Sequence, residues 1–438
     1  MHLDPADREL LRLAVPALGA LIAEPLYVLA DTAVVGHLGT SPLAGLAVAS
    51  GVLLFAYGMC IFLAYGTTAS VARLAGAGHP ERAAVQAVQG LWLAGTLGLV
   101  LAVIGVWFGD KLLRLLGAEG PVLDQASTYL EISLLGAPAM LMTLAGVGYL
   151  RGRRDTVRPL WVAVGTAVLN LVVEVVLIYG FDQGIGASAG ATVVAQWVGA
   201  GCYLTWIGRE VRRYGVALSP DLSALRRLVS VSADLMIRNL SLGGTFLVGT
   251  SVATRIGDVE VAAHQVAFQV WMFLALAMDG MAIAAQAMVG TALGGGDGEG
   301  AKRIGRRTIG WSVGMGVVLG IALIATHGSV PGLFSSDPAV VDLGGFLLLH
   351  VGVMAPLSGF AFALDGILIG AGDQRFMART MAVSAFAAMA AMLVGRLADL
   401  GIGWLWAAIW LFLLGRSLLL GARFRNGGWV VLGAGPVD

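Results

Sequence analysis

The groups in this sequence that can do chemistry are polar and charged side chains set one helical turn apart inside long apolar segments. Glu24, Tyr27 and Asp31 stand at i, i+3 and i+7, which is one face of a helix. Asn170 and Glu174 stand at i and i+4, and Thr192 and Gln196 repeat that spacing. A charge in a bilayer core costs on the order of 2.5–3.5 kcal/mol on insertion scales, so carboxylates kept there call for a reason. Two carboxylates, a phenol, an amide and a hydroxyl on neighbouring helices form a set of hard oxygen ligands that takes up a proton or coordinates Na⁺. Taken singly, Asn170, Thr192 and Gln196 are equally well explained as hydrogen bonds between helices, and Glu24 near a lipid interface can snorkel. Asp31 resists such accounts, because its flanks are apolar for several turns.

A second polar set lies further along: Arg238, His264, Gln265, Asp279 and Asp365. Arg238 with Asp279 or Asp365 reads as a buried structural ion pair ahead of a transport role, and Arg238 is the buried positive charge of the chain. His264 is either a group titrating near neutral pH or, close to a helix start, a satisfied polar residue. Pro16 and Pro25 flank the face leading to Asp31, and each removes a backbone hydrogen bond, which gives the first helix two bending points. Pro138 and Pro356 recur at a fixed offset and read as a common kink. Cys60 and Cys202 both fall in apolar stretches and make neither a disulfide framework nor a metal cluster. Apart from Na⁺ at Asp31, Asn170, Glu174 and Thr192, no metal is expected.

The elements that position these groups are duplicated. Residue n matches residue n+218 without a gap: AGAGHPERA at 75–83 lies over LGGGDGEGA at 293–301, Ala137-Pro138 over Ala355-Pro356, and Gly148, Gly152 and Asp155 over Gly366, Gly370 and Asp373. The polar set does not follow the repeat. Asp31 becomes Gly249, Asn170 becomes Ala388 and Glu174 becomes Met392, so packing is kept in both halves and chemistry in one. A duplicated half in so apolar a chain is the sign of a transporter built from two bundles.

Apolar residues are 58% of the chain and charged residues 12%, about half the ~25% of soluble domains, so its solvent is lipid. The 27 basic and 27 acidic residues cancel, which gives no argument for nucleic acid. Stretches long enough for the ~20 residues of a span run over 10–36, 43–70, 87–108, 128–150, 159–181 and 186–208, then 226–253, 261–289, 307–327, 341–369, 376–397 and 403–422. Twenty loop Arg and Lys, from Arg8 through the Arg151–Arg158 and Arg209–Arg227 groups to Arg425, fall on the side of the N-terminus. Only Lys111, Arg114, Arg255 and Arg396 fall opposite. That asymmetry predicts cytoplasmic termini, with MHLDPADREL as an uncleaved tail. Six spans per half make the repeat parallel. The expected fold is an all-α integral membrane protein of twelve transmembrane helices in two parallel six-helix bundles, related by a pseudo-two-fold along the membrane normal. Residues 1–208 form the first bundle, 209–227 a cytoplasmic linker and 228–438 the second.

The sequence resembles the multidrug and toxic compound extrusion (MATE) transporters, in particular the branch of the DNA-damage-inducible F proteins. The resemblance covers essentially the whole chain and rests on ADTAVVGHLG at 30–39, the Gly-rich loop 75–83 with its copy at 293–301, LRGRRDTVRP at 150–159, LNLVVEVVLI at 169–178, VAAHQVAFQVW at 261–271 and LDGILIGAGD at 364–373. It implies an efflux antiporter of the cell membrane, working as a monomer without cofactor or ATP, that exports organic, often cationic, compounds in exchange for H⁺ or Na⁺. The family's amino-terminal cation site maps onto Tyr27, Asp31, Asn170 and Thr192. Many relatives carry Asp where this chain has Glu174, whose extra methylene moves the carboxylate by about 1.5 Å and favours proton binding. Pro16 matches the position linked to bending of the first helix. Asp365 falls near a second-lobe carboxylate of other branches, which leaves coupling through both halves open.

Three rivals are weaker. A flippase for lipid-linked precursors shares the architecture but needs a strongly cationic cavity, against which Arg238 stands alone. A membrane-embedded enzyme lacks any His-Glu-x-x-His, Gly-x-Ser-x-Gly or acidic Mg²⁺ cluster. A channel needs little buried carboxylate chemistry. GGGDGEGAKR at 294–303 lacks the Gly-Lys-Ser/Thr ending of a phosphate loop and reads as a turn.

Overall fold

The structure, a computed structural model, describes residues 4–181 and 183–434, without the side chains at 227, 230 and 231. Arg227 of the charge pattern therefore lies outside the described side chains. The chain is helical throughout: α1 Pro5–Gly36, α2 Thr40–Met59, α3 Phe62–Gly76, α4 Pro80–Leu115, α5 Gly120–Leu134, α6 Ala137–Gly152 and α7 Val157–Val175, which runs into a π turn at Val176–Gly180. There follow α8 Ile185–Tyr214, α9 Leu222–Ile256, α10 Asp258–Gly294, α11 Gly298–Thr326, α12 Pro338–Gly370, α13 Gln374–Leu397 and α14 Gly401–Arg425. Nine spans among the described residues are long and apolar enough to cross a membrane, with α2 and α3 counted as one, and the bent pair α5–α6 makes ten. Helices α8 and α9 coincide with the sixth and seventh expected spans, so the layout is consistent with twelve.

Two compact units divide the chain, one of Gly19–Ser232 and one of Ala233–Asp438 with Met1–Leu18. Helix α1 runs unbroken through Pro16 and Pro25, and the division falls two residues beyond Pro16. The expected linker 209–227 is mostly helical, and only residues 215–221 lie between α8 and α9. That short stretch is fastened within its own unit. Gln89 of α4 donates to the Ser219 carbonyl at 3.1 Å and accepts from the Asp221 amide at 2.8 Å, and the Trp92 indole donates to Leu218 O at 2.8 Å.

The repeat is physical. Helices α2 and α10 begin at Thr40 and Asp258, α4 and α11 at Pro80 and Gly298, and α5 and α12 at Gly120 and Pro338, each pair 218 residues apart. Gly78 and Gly296 both take φ +79°, a left-handed turn open to glycine at no steric cost. Close helix crossings recur as well. A methyl on Gly148 would meet the Ala64 carbonyl of α3, and one on Gly366 would meet the Ala282 carbonyl of α10. Gly98 abuts Pro138 as Gly316 abuts Pro356. This last pair revises the expected common kink. Pro138 sits in the first turn of α6, after a 52° bend from α5, whereas Pro356 lies inside an unbroken α12. What the two prolines share is a glycine on the crossing helix, a packing relationship. The second expected span is likewise broken at Cys60–Ile61, where its copy in α10 runs straight.

Candidate functional site

In the first-half unit the polar residues converge. Tyr27 and Asp31 come from α1, Asn170 and Glu174 from α7, and Thr192 from α8. Asp31 is 4% exposed, Asn170 2% and Glu174 0%. The hydrogen bonds run in one direction. The Asn170 Nδ2 donates to Thr192 Oγ1 at 2.9 Å and to Tyr27 Oη at 3.2 Å, the Tyr27 and Thr192 hydroxyls lie 2.8 Å apart, and Thr192 Oγ1 donates to the Ser188 carbonyl at 3.1 Å. With its proton on Ser188 O, the Thr192 oxygen receives from both Asn170 and Tyr27, which occupies both its lone pairs. The network thus orients the Asn170 amide and leaves Asn170 Oδ1 without a partner.

Sequence reasoning missed one member of this site. Ser188 of α8, fully buried, donates to Asp31 Oδ1 at 2.6 Å. Its signal was present, because 188, 192 and 196 continue the same i, i+4 face one turn earlier. Glu174 lies within reach of Asp31 and Ser188, yet neither of its oxygens closes a hydrogen bond of good geometry among the described residues. The charged group bearing on Glu174 is the like-charged Asp31. Tyr129 of α5 also faces Asp31, Glu174 and Thr192. The π turn begins two residues after Glu174, a local departure from α geometry common at functional sites.

Two of the candidates stand apart. Gln196 points to the α5–α6 break, where its Oε1 fills the space beside Gly136, and Tyr57 is its neighbour. Glu24 is exposed.

At the matching place in the second-half unit the polar set is replaced by apolar groups, with the His264 ring beside them. Gly249, in the position of Asp31, lies 3.8 Å (built from an added methyl) from the Met392 methyl, in the position of Glu174. Ala388 replaces Asn170, Trp406 replaces Ser188 and Trp410 replaces Thr192. Met392 and Trp406 belong to the main apolar core of that unit.

The polar residues of the second half form a separate cluster. Arg238 donates to Asp365 Oδ2, and so does Arg416 of α14, at 2.7 Å. The ion pair foreseen for Arg238 is therefore made with Asp365, and Asp279 is half-buried on α10. Arg416 corrects the reading of Arg238 as the one buried cation: it is 1% exposed, and its guanidinium stands over the rings of Phe362 and Phe412. His264 is wholly buried against Phe268 and Trp406, with Nε2 3.3 Å from Thr250 Oγ1, as a packed core residue would be. It lines a small aromatic cavity with Phe246, Trp271 and Arg416.

Comparisons with known proteins bear on the family and the fold. The MatE family model matches residues 16–176 and 235–393, two segments whose starts differ by 219 residues, within one of the sequence repeat. The chain is 31% identical over 436 residues to DNA damage-inducible protein F of Escherichia coli (strain K12), covering 98% of this chain and 95% of that protein. It is 30% identical over 447 residues to Protein DETOXIFICATION 44, chloroplastic, of Arabidopsis thaliana, covering 98% and 84%. Among solved structures, an outward-facing multidrug resistance MATE family transporter of the MOP superfamily shares the fold with a TM-score of 0.85 at 24% identity, covering 97% of this chain and 95% of that one. A duplicated all-helical membrane chain matched by one family along both halves leaves a single assignment: the protein belongs to the MATE family and is a multi-pass membrane efflux transporter, not an enzyme.

Proposed function

We propose that the protein is a proton-coupled antiporter that exports organic cationic or amphiphilic compounds, with Asp31 and Glu174 as the pair that loads and releases the coupling proton. The observation carrying this reading is the pairing of two buried carboxylates with no compensating base in the set that bears on them. Two such groups in an apolar shell do not both hold a charge unless a proton or cation lies between them. Na⁺ is the weaker choice, because Thr192 and Tyr27 spend their oxygens on each other and on Asn170. Asn170 Oδ1 and the two Glu174 oxygens are the acceptors of the set left without a hydrogen bond, and a single proton between Asp31 and Glu174 relieves the pair without calling on further ligands.

Export requires that the loaded and empty site favour different conformations, since a ligand shifts a two-state equilibrium only by its unequal affinity for the states. Asp31 sits on α1 and Glu174 on α7, so a change of bend at Pro25, two turns before Asp31, would alter their separation. In this reading Asn170 and Ser188 position the carboxylates, both termini are cytoplasmic in the cell membrane, and the chain acts as a monomer without ATP. The two bundles of this reading are residues 19–232 and residues 233–438, the latter joined by the start of α1. A lipid-precursor flippase gains Arg416 beside Arg238, but both arginines converge on Asp365, which neutralises part of their charge.

The test is dye uptake into inverted vesicles, with an imposed proton gradient compared with an imposed sodium gradient. Uptake should follow the proton gradient and vanish in Asp31→Asn at equal expression. Uptake driven by sodium alone, or wild-type uptake by Asp31→Asn, overturns the proposal.

A further inference from the structure

The ends of α6, α7 and α8 carry far more positive charge than the fold requires. Residues 151–158 and 206–213 hold seven arginines and two carboxylates, Asp155 and Glu210. At the repeat positions 218 residues on, those seven are Ile369, Ala371, Gly372, Phe376, Gly427, Val430 and Val431, none of them basic. The matching helical ends in the other half carry four arginines, Arg375, Arg379, Arg423 and Arg425, and none of them stands at these positions.

The arginines are also arranged. Trp206, Arg209 and Arg213 lie at i, i+3 and i+7 on one face of α8. The Arg158 guanidinium of α7 stands over the Trp206 ring, 5.5 Å from its centroid, an arrangement that holds the charge at the seam between α7 and α8. Arg158, Arg209 and Arg213 are all exposed. Below Arg158, further along α7, Trp161, Val168 and Val172 are each more than half exposed and lie close to its face of the helix. A cationic rim therefore sits directly above an apolar track.

We propose that this seam binds the headgroup of an anionic phospholipid, with Arg158, Arg209 and Arg213 around the phosphate and an acyl chain lying along Trp161, Val168 and Val172. The site recognises lipid and not free phosphate because half of it is apolar. Basic residues at a membrane surface contribute about 1 kcal/mol each toward anionic lipid, or about fivefold in affinity. The proposal does not depend on which ion drives export.

The test uses the full chain, purified in detergent, and follows thermal unfolding while phosphatidylglycerol, phosphatidylcholine or soluble glycerol phosphate is added. Phosphatidylglycerol should raise the unfolding temperature, and the other two should not. In Arg158→Gln/Arg209→Gln/Arg213→Gln, affinity for phosphatidylglycerol should fall by roughly two orders of magnitude, the product of about fivefold for each charge. The control Arg375→Gln/Arg379→Gln/Arg425→Gln removes three exposed charges from the other half and should respond like wild type. An equal response to phosphatidylcholine, an equal loss in the control, or full stabilisation by glycerol phosphate overturns the proposal. Should the triple variant fail to fold, the wild type decides: its phosphatidylglycerol shift must shrink as salt is raised.

Discussion

Arg416 and Arg238 donate to the same oxygen of Asp365, Oδ2, and leave Oδ1 without a hydrogen-bond partner. A carboxylate held by two buried guanidiniums has the make-up of a structural ion cluster. Removing one partner from a buried ion cluster costs about 3–5 kcal/mol, because the remaining charges are left in an apolar shell.

The first prediction follows from that cluster. Asp365→Asn should lower the yield and unfolding temperature of the protein while transport per folded molecule is largely kept. Glu174→Gln, which removes a charge facing Asp31, should fold normally and lose gradient-driven export. Measuring both quantities on both variants decides the matter. An Asp365→Asn protein of normal stability that no longer transports would move coupling into the second half.

Ser188 supports a second prediction. Its 2.6 Å bond is the hydrogen bond on Asp31 Oδ1, and a hydrogen bond to a charged group is worth about 1.5–3 kcal/mol. Ser188→Ala should slow proton-driven export by roughly tenfold or more and lower stability by no more than about 1.5–3 kcal/mol, and Ser188→Thr should restore most of both. Thr192→Ala acts one step further away, by freeing the Asn170 amide, and should have the smaller effect on initial rate.

Glycine crossings provide the third. A methyl on Gly366 meets the backbone of Ala282, whereas one on Gly314 of α11 meets nothing within 4 Å. Gly366→Ala should therefore destabilise the protein by about 1–3 kcal/mol through forced helix separation, and Gly314→Ala should be neutral or slightly stabilising. Equal unfolding temperatures for the two variants would contradict the crossing.

The repeat was legible in the sequence because helix ends and crossings use glycine and proline at fixed offsets, and these residue types have few substitutes there. Asp31, Asn170 and Glu174 were legible because a charge or amide in an apolar stretch stands out at helical spacing. Ser188 shares the face of Thr192 and Gln196, but a serine among Gly and Ala reads as a small packing residue, and its partner lies on α1, 157 residues away. Arg416 lies inside the last expected span, two turns before the loop arginines Arg423 and Arg425, and its burial against Phe362 and Phe412 is a tertiary fact that the apolar pattern does not carry. The break at Cys60–Ile61 has no proline or glycine pair to mark it, and its copy in α10 is straight, so neither local pattern nor repeat announces it.

The last prediction concerns the start of α1. Residues 1–18 belong to the second-half unit, and three hydrogen bonds fasten them there. Arg307 of α11 donates to Asp7 Oδ2 and to Asp4 Oδ2, both at 2.7 Å, and the Trp311 indole donates to Asp7 Oδ1 at 3.1 Å. Leu10, Leu13 and Ala14 then pack against Met281, Ala284 and Met288 of α10. Asp7 is 8% exposed at its side chain but Arg307 is 41% exposed, so the ion pairs themselves contribute only about 1 kcal/mol. The apolar packing fixes the segment and the charges fix its register. Arg307→Gln should accordingly leave the protein folded while raising amide hydrogen exchange over residues 5–15, with α7 and α8 unchanged. If a bend in α1 near Pro16 and Pro25 carries the coupling step, a loosened N-terminal anchor should also lower the export rate while dye affinity stays the same. Unchanged exchange at residues 5–15 would show that packing alone holds the segment, and faster exchange with an unchanged export rate would separate the anchor from transport.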